Sequence, residues 1–459
     1  MADPRIVIVG AGPAGTRAAE LLVAAGLRPV VIDESPRSGG QIYRRPPPNF
    51  TRSHEQLYGT EAGRARAIHA TFDAFANKVD YRAETLAWAV KDDRVFVQKA
   101  MTVEQIPYDA LLLAPGATDR LIPLEGWTRP GCYSLGAAQI TLKAQGCAIG
   151  QEVVFVGTGP LLYLVAYQYM KAGIAPVAVL DTSSLAQQLR GLPLMVARPE
   201  QLIKGAQIVS ALRQGGVRVL RGVRPLEVLG DDRSVTGMRF CDAAGHEQEL
   251  RCTAVGMGYH LRAESQLADL AGCSFEFHPT VRQWLPVIDE MGRSSIRNVY
   301  LAGDGVRILG ADGAEVAGRL AAIALLSDLG WPIDQAKVRS LQAEMRRHVR
   351  FASGIAKAFP WPHEQVAAIP DRTLICRCEA ITAGELRASV KDLFSPEVNR
   401  AKAFSRVGMG RCQGRFCGPA SQEVVAAANG APIQSAGRIR GQAPVKPLPI
   451  GITEETSRG

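Results

Sequence analysis

Four of the chain's nine cysteines are clustered: Cys376-Arg377-Cys378-Glu379 and Cys412-Gln413-Gly414-Arg415-Phe416-Cys417 give the spacing C-x-C-x33-C-x4-C. Thiolates so placed can hold a pair of irons or a single zinc, and composition alone does not choose between them. Ligand pairs of structural zinc modules usually have roughly two to four intervening residues, so a Cys-x-Cys start is less typical of zinc. The remaining cysteines, Cys132, Cys147, Cys241, Cys252 and Cys273, are isolated and read as reduced core residues. The chain has no Cys-x-x-Cys pair, which counts against dithiol–disulfide exchange. His54, His69, His246, His260, His278, His348 and His363 are scattered without a partner pattern, so no acid–base or nucleophilic constellation is visible. That absence fits electron transfer, where bound groups do the chemistry and the protein fixes spacing and potential.

Glycine turns at the ends of apolar runs are the other chemically suggestive feature. Ile6 to Val9 reads as a parallel strand buried on both faces. Gly10-Ala11-Gly12-Pro13-Ala14-Gly15 follows, then a helix from Thr16 to Ala25. Gly10 permits the tight turn, Gly12 lets backbone approach a pyrophosphate, and Gly15 lets the helix pack on the strand. The next strand, Pro29 to Ile32, ends at Asp33-Glu34, where a carboxylate can accept ribose hydroxyls. Asp109 to Leu113 and Asn298 to Leu301 read as further buried strands, ending in Ala114-Pro115-Gly116 and Ala302-Gly303-Asp304-Gly305, and a helix is expected from Glu315 to Leu326. Between them lies a second fingerprint, Gly157-Thr158-Gly159-Pro160-Leu161-Leu162, whose following strand ends at Asp181. Leu162 stands where the third glycine belongs, which should widen helix–strand spacing and crowd a pyrophosphate. A working NAD(P) or other adenine-nucleotide site at Gly157, Gly159 and Asp181 and a vestigial domain both stay open.

The elements that position these turns fit an ordinary folded α/β chain. It has 459 residues, 47% hydrophobic and 21% charged. The net charge of +9 comes from scattered Arg and Lys; the densest run, Arg346-Arg347-His348 with Arg350, reads as one solvated helix face and not as a nucleic-acid site. Val153 to Met170 approaches membrane-span length but is broken by Gly157-Thr158-Gly159-Pro160, so no transmembrane segment is expected. Met1 to Arg5 leads directly into a strand pattern without a secretory signal, and a cytoplasmic location is expected.

With the turns in this order, the chain resembles the two-dinucleotide-domain flavoproteins, the group that includes thioredoxin and glutathione reductases. The resemblance implies FAD at the first site, with Gly303-Asp304 at the flavin's ribityl or phosphate end and Ala114-Pro115-Gly116 at the domain crossing, where Pro115 departs from the usual Thr. Gly39-Gly40-Gln41 matches a family turn near the flavin. Ile375 to Glu379 and Gly408 to Gly418 resemble the bacterioferritin-associated-ferredoxin-like [2Fe–2S] module, implying a cluster on Cys376, Cys378, Cys412 and Cys417. Arg377, Arg411 and Arg415 could moderate its negative charge. Helices are expected over Ala383–Leu393 and Val398–Arg406.

The expected fold is therefore an α/β two-dinucleotide-binding-domain flavoprotein with a small C-terminal helical [2Fe–2S] domain. Its divisions are a discontinuous FAD-binding domain at 1–120 and 262–355, a second Rossmann domain at 121–261, a [2Fe–2S] domain at 370–430 and a proline-rich tail at 431–459. The tail reads either as loose or as an arm lying on a neighbouring subunit.

This arrangement resembles a narrower group: the A or α subunits of bacterial opine oxidases, hydrogen cyanide synthase, hydroxyproline dehydrogenases and heteromeric sarcosine oxidase. The segments that strengthen the match are Gly39 to Arg44, Leu57-Tyr58-Gly59, Pro130 to Gly136 and Gly157 to Leu162. The resemblance implies a hetero-oligomer in which a separate FAD-dependent β subunit of D-amino-acid-oxidase-like type oxidises a C–N bond and this chain carries electrons onward. It allows for a small third subunit and for FMN at the subunit interface. The competing readings are a stand-alone NAD(P)H-dependent ferredoxin-type reductase and a scaffold with structural cofactors.

Overall fold

The structure is a computed structural model that describes residues 3–451 and the backbone of residues 453–454. The apolar run Ile6–Val9 forms the central strand of a five-stranded parallel sheet, and its residues are all buried. It is flanked by Val30–Ile32 and Ala110–Leu113, with Asp80–Arg82 and Val299–Leu301 at the edges. Strands covered on both faces need no polar alternation, which is why they read as continuous apolar runs.

Helix Pro13–Ala24 begins with Pro at its first position, earlier than the Thr16 start expected from composition. It packs on Gly310–Asp328, which starts before the expected Glu315. The approach is so close that a Cβ on Gly318 would collide with the Ala14 carbonyl.

A second five-stranded parallel sheet repeats the arrangement. Val153–Thr158 is central, between Ala178–Asp181 and Ala254–Tyr259, with Arg218–Arg221 and Cys132–Ser134 outside. The two units are joined where Ala117–Asp119 pairs antiparallel with Leu261–Ala263. Helix Gln335–Ala358 then lies on Leu185–Met195, with Gly354 and Gly191 in backbone contact.

The cysteine-bearing unit is small. The hairpin Leu374–Cys376 with Ile381–Thr382 leads into Ala383–Lys391 through a capping box of Thr382 and Glu385, followed by Val398–Ser405 and Gly418–Ala428. Both expected helices are present, each slightly shorter than its polar flanks suggested.

Two further sequence expectations are corrected. The run Arg346 to Arg350 is not a fully solvated face: His348 is buried, and its Nδ1 lies 2.9 Å from Arg198 Nη1. The proline-rich tail is neither loose nor reaching outward over its described residues. Arg438 makes a bidentate ion pair with Asp269 at 2.6 and 2.7 Å, Trp284 Nε1 donates to Gly437 O, and Val445 is buried with its N–H on Trp88 O. The chain's own first domain is the surface that the tail covers.

Candidate cofactor sites

The first nucleotide turn is built by close backbone packing. Gly10 has φ +103°, and a side chain there would collide with the Ala114 carbonyl, while a Cβ on Gly15 would collide with Gly10 O. A Cβ on Gly40, at φ +66°, would lie 2.9 Å from Gly12 Cα, so the Gly39-Gly40 loop lies flat against the fingerprint. Gly39 N–H also donates to Ala11 O at 2.9 Å. Because Gly12 is the N-cap, no side chain covers the first-turn amides of the Pro13–Ala24 helix. They are available to an anion, which the helix dipole favours.

The carboxylates stand around this turn. Asp33, at the strand end and 9% exposed, accepts hydrogen bonds from Ala11 N–H and Ser35 N–H, each at 2.7 Å. Burial pushes its pKa up and these amides partly offset that. The carboxylate keeps lone pairs that can accept ribose hydroxyls. Glu34 is exposed and ion-paired with Lys446, and Gln41 is exposed beside the Gly40 turn.

Asp304 faces the fingerprint from the other side. Its Oδ1 accepts from Leu309 N–H at 2.8 Å and Gly310 N–H at 3.1 Å, and desolvation raises its pKa to about 6. A Cβ on Gly303 would lie 2.9 Å from Ala14 Cβ, and one on Gly305 the same distance from Pro115 Cδ. Three turns distant in sequence therefore meet at the carboxyl ends of one parallel sheet, where open α/β sheets bind nucleotides. Free amides, a ribose-competent carboxylate and an opposing Asp fit an extended dinucleotide such as FAD.

The second fingerprint is built differently. Leu162 is fully buried in the core beneath its helix, so it packs inward and does not stand in the path of a pyrophosphate. His260 stands there instead: a Cβ on Gly159 would lie 3.0 Å from its Nδ1. His260 Nε2 hydrogen-bonds Phe359 O, which makes Nε2 the donor and leaves the Nδ1 lone pair facing Gly159. A lone pair at that point repels an anion. Asp181 is fully buried and already occupied: Tyr163 Oη donates at 2.5 Å, Gln188 Nε2 at 3.1 Å and Ser183 N–H at 2.8 Å.

The four sequence-matched cysteines converge. Cys376 ends its hairpin strand, Cys378 follows in the turn, Cys412 lies in the Gly410–Cys417 turns, and Cys417 is the N-cap of Gly418–Ala428. The sulfurs influence one another's protonation, Cys417 through Cys376 and Cys412, and Cys378 through Cys412. Backbone amides of Gly408 and Glu379 reach Cys376, and those of Phe416 and Gly414 reach Cys412. Interaction with Cys417 and with these amides holds Cys376 and Cys412 below the ordinary thiol pKa, while Cys417 is pushed up. Among the described residues no three His, Cys, Asp or Glu side chains are arranged to hold a single metal ion. An all-sulfur donor set ringed by amides fits an iron–sulfur cluster, whose negative charge such amides stabilise.

Of the three nearby arginines, Arg411 is exposed, and Arg377 packs over the rings of Trp127 and Phe416 at 5.6 and 5.4 Å. Arg415 alone is buried. Its Nε and Nη2 bond Glu264 Oε2 and Oε1 at 2.8 and 3.2 Å. Sequence reading missed Arg262, Glu264 and Gln266, which carry no motif. The available signal was two charges beside the apolar closing strand Ala254–Tyr259, in the segment that crosses between domains.

Fold and sites together define a flavin and iron–sulfur oxidoreductase. The chain belongs to the pyridine nucleotide-disulphide oxidoreductase family, which matches residues 4–323, and carries a BFD-like [2Fe-2S] binding domain over residues 374–427. It is 35% identical over 461 residues to the A subunit of opine oxidase from Rhizobium meliloti, covering 96% of this chain and 86% of that protein. Identity to hydrogen cyanide synthase subunit HcnB of Pseudomonas protegens is 28% over 465 residues, covering 97% and 96%. L-proline dehydrogenase from P. horikoshii shares the fold with a TM-score of 0.73 at 18% identity, over 98% of this chain and 79% of that one. T. acidophilum thioredoxin reductase overlaps 72% of this chain and 99% of its own at a TM-score of 0.52 and 18% identity. The cofactors of the present chain are FAD and a [2Fe–2S] cluster. No described helix is long and apolar enough to cross a membrane.

Proposed function

We propose that this chain is the electron-transferring subunit of a cytoplasmic multi-subunit dehydrogenase or oxidase acting on opines or amino acids. A separate FAD-dependent subunit of D-amino-acid-oxidase type breaks the C–N bond, an FMN lies at the shared interface, and this chain takes the electrons onward. The named relatives, from opine oxidase and hydrogen cyanide synthase, are themselves subunits of larger enzymes, which supports the assembly.

The observation that carries the reading is the contact between the two cofactor turns. Glu264 N–H donates to Gly116 O at 3.1 Å on the flavin side, and its carboxylate holds Arg415 inside the Cys412–Cys417 loop. The bound flavin supplies two-electron redox chemistry and the cluster one-electron chemistry; the protein fixes their separation. Asp33, Asp304 and the first-turn amides are assigned to FAD, and Cys376, Cys378, Cys412 and Cys417 to the cluster.

A free-standing NAD(P)H-dependent reductase requires an open second site. Its fingerprint carries His260 over Gly159 and an Asp181 that is fully buried and bonded within the chain, which supports the electron-transfer reading. Affinity purification of the tagged chain from its native cells tests the proposal. Recovery of a second flavoprotein with amine- or amino-acid-oxidising activity is expected. Recovery of the chain alone, with rapid NADH or NADPH oxidation, would overturn it.

A further inference from the structure

The segment from Leu261 to Gln266 touches the Cys412–Cys417 loop at three points. Arg262 Nη1 donates to Arg415 O at 3.0 Å, Glu264 takes the Arg415 guanidinium in a bidentate pair, and Gln266 Nε2 donates to Gln413 O at 2.6 Å. Arg415 Nη1 also reaches Cys412 O at 3.3 Å and Val445 O. Glu264 and Arg415 are each 7% exposed. The loop that carries two of the cluster thiols is thus fastened to the strand whose other side bonds the Gly116 turn.

The charges at this junction do not cancel. Arg262 and Arg415 bring two positive charges and Glu264 one negative, leaving one net positive charge. The Arg262 guanidinium, bonded to Arg415 O, is held against the turn that runs from Cys412 to Cys417. Arg262 is half-buried and lines a small cavity with Gln266 and Gln413, so its charge is partly screened there. Reduction of a [2Fe–2S] cluster adds one electron and hence one negative charge, so a nearby fixed cation favours the reduced form. Net charge and hydrogen bonding around the sulfurs are established determinants of cluster potential.

We propose that Arg262, Glu264 and Arg415 form a charge bridge in which Arg262 is a positioning residue that raises the reduction potential of the [2Fe–2S] cluster, with Glu264 setting the opposing term. This rests on the reading that Cys376, Cys378, Cys412 and Cys417 hold that cluster. Purely structural roles would loosen the loop in either variant. A charge bridge requires opposite responses: Arg262→Met lowers the potential because a cation is lost, and Glu264→Gln raises it because an anion is lost. Arg262→Lys keeps the charge and recovers most of the shift.

The test is an anaerobic dithionite titration of the full-length chain, with the reduced cluster followed by electron paramagnetic resonance. The expected result is a downward shift for Arg262→Met, an upward shift for Glu264→Gln and a value near wild type for Arg262→Lys. Should Arg262→Met fail to load a cluster, the sign of the Glu264→Gln shift decides alone. Unmoved potentials, or shifts of the same sign, in variants whose wild-type parent shows a normal [2Fe–2S] signal overturn the charge bridge only. A wild-type chain reconstituted with iron and sulfide that shows no such signal overturns the cluster reading and the bridge together.

Discussion

Tyr163 donates a 2.5 Å hydrogen bond to Asp181, the acid at the strand end where a dinucleotide's ribose would need an acceptor. The same carboxylate also accepts from Gln188 and Ser183 and is fully buried, so it is turned to the chain's own donors. Neither NADH nor NADPH should bleach the flavin of the purified chain in stopped-flow mixing. Tyr163→Phe removes a partner from a buried carboxylate and should cost about 1–3 kcal/mol of stability, measured by denaturant unfolding, without conferring NAD(P)H oxidation.

The Asp304 carboxyl predicts a pH signature in the flavin-free chain. Its folded pKa is raised from 3.8 to about 6, because its site is poorly solvated. A carboxyl raised on folding contributes stability below its unfolded pKa and loses it as pH rises through the folded value. Asp304→Asn should therefore make the flavin-free chain more stable at neutral pH, by about 1–3 kcal/mol, and flatten its pH dependence between pH 3.8 and about 6. The same substitution should weaken FAD binding, measured by flavin fluorescence on dilution.

Legibility followed the backbone chemistry. Gly10, Gly12, Gly15, Asp33 and Gly303-Asp304 were readable because tight turns and buried parallel strands leave sequence patterns that few other structures require. The grouping of Cys376, Cys378, Cys412 and Cys417 was readable in their spacing, while the choice of an iron–sulfur cluster over zinc came from the resemblance of the flanking residues. His260 over Gly159 was not: its backbone sits at φ +65° and its partner, Phe359 O, is far along the chain. The Glu264–Arg415 pair was hidden for the same reason, being separated by 151 residues. The tail's course was obscured by composition, since proline and arginine describe a solvated strand as well as one pinned by Asp269.

That pinning gives a third prediction. The Asp269 side chain is 5% exposed and receives Arg438 and the Gly441 N–H. Asp269→Ala strands the Arg438 guanidinium and should cost about 2–4 kcal/mol, with residues beyond 437 becoming sensitive to limited proteolysis. Arg438 and Gly441 hold the Asp269 pKa low against the opposing effect of burial. Its stabilising contribution is therefore present above the unfolded carboxylate pKa and disappears as pH falls through the folded value. Protection from proteolysis should weaken in acid in the wild type and be absent throughout in the variant.

Gly10→Ala addresses the first site without touching the cluster. The glycine sits at φ +103°, and the added methyl would meet the Ala114 carbonyl. A loss of about 2–4 kcal/mol in stability and of FAD retention is expected, read by unfolding and by the flavin content of the purified protein. Cluster absorbance should persist in whatever fraction remains folded. Cys412→Ser should behave in the opposite way, keeping FAD and losing the cluster spectrum.

The most direct measurement takes the intact complex, purified with its catalytic partner, and freezes it during turnover for electron paramagnetic resonance. Proline, sarcosine, glycine and an opine would be supplied in turn, and the substrate that is oxidised used for the measurement. Electron transfer through this chain predicts a reduced [2Fe–2S] signal that appears within the turnover time, with Cys412→Ser abolishing both the signal and steady-state turnover while the subunits still co-purify. Full turnover with the cluster oxidised throughout, or unchanged in Cys412→Ser, would contradict the account.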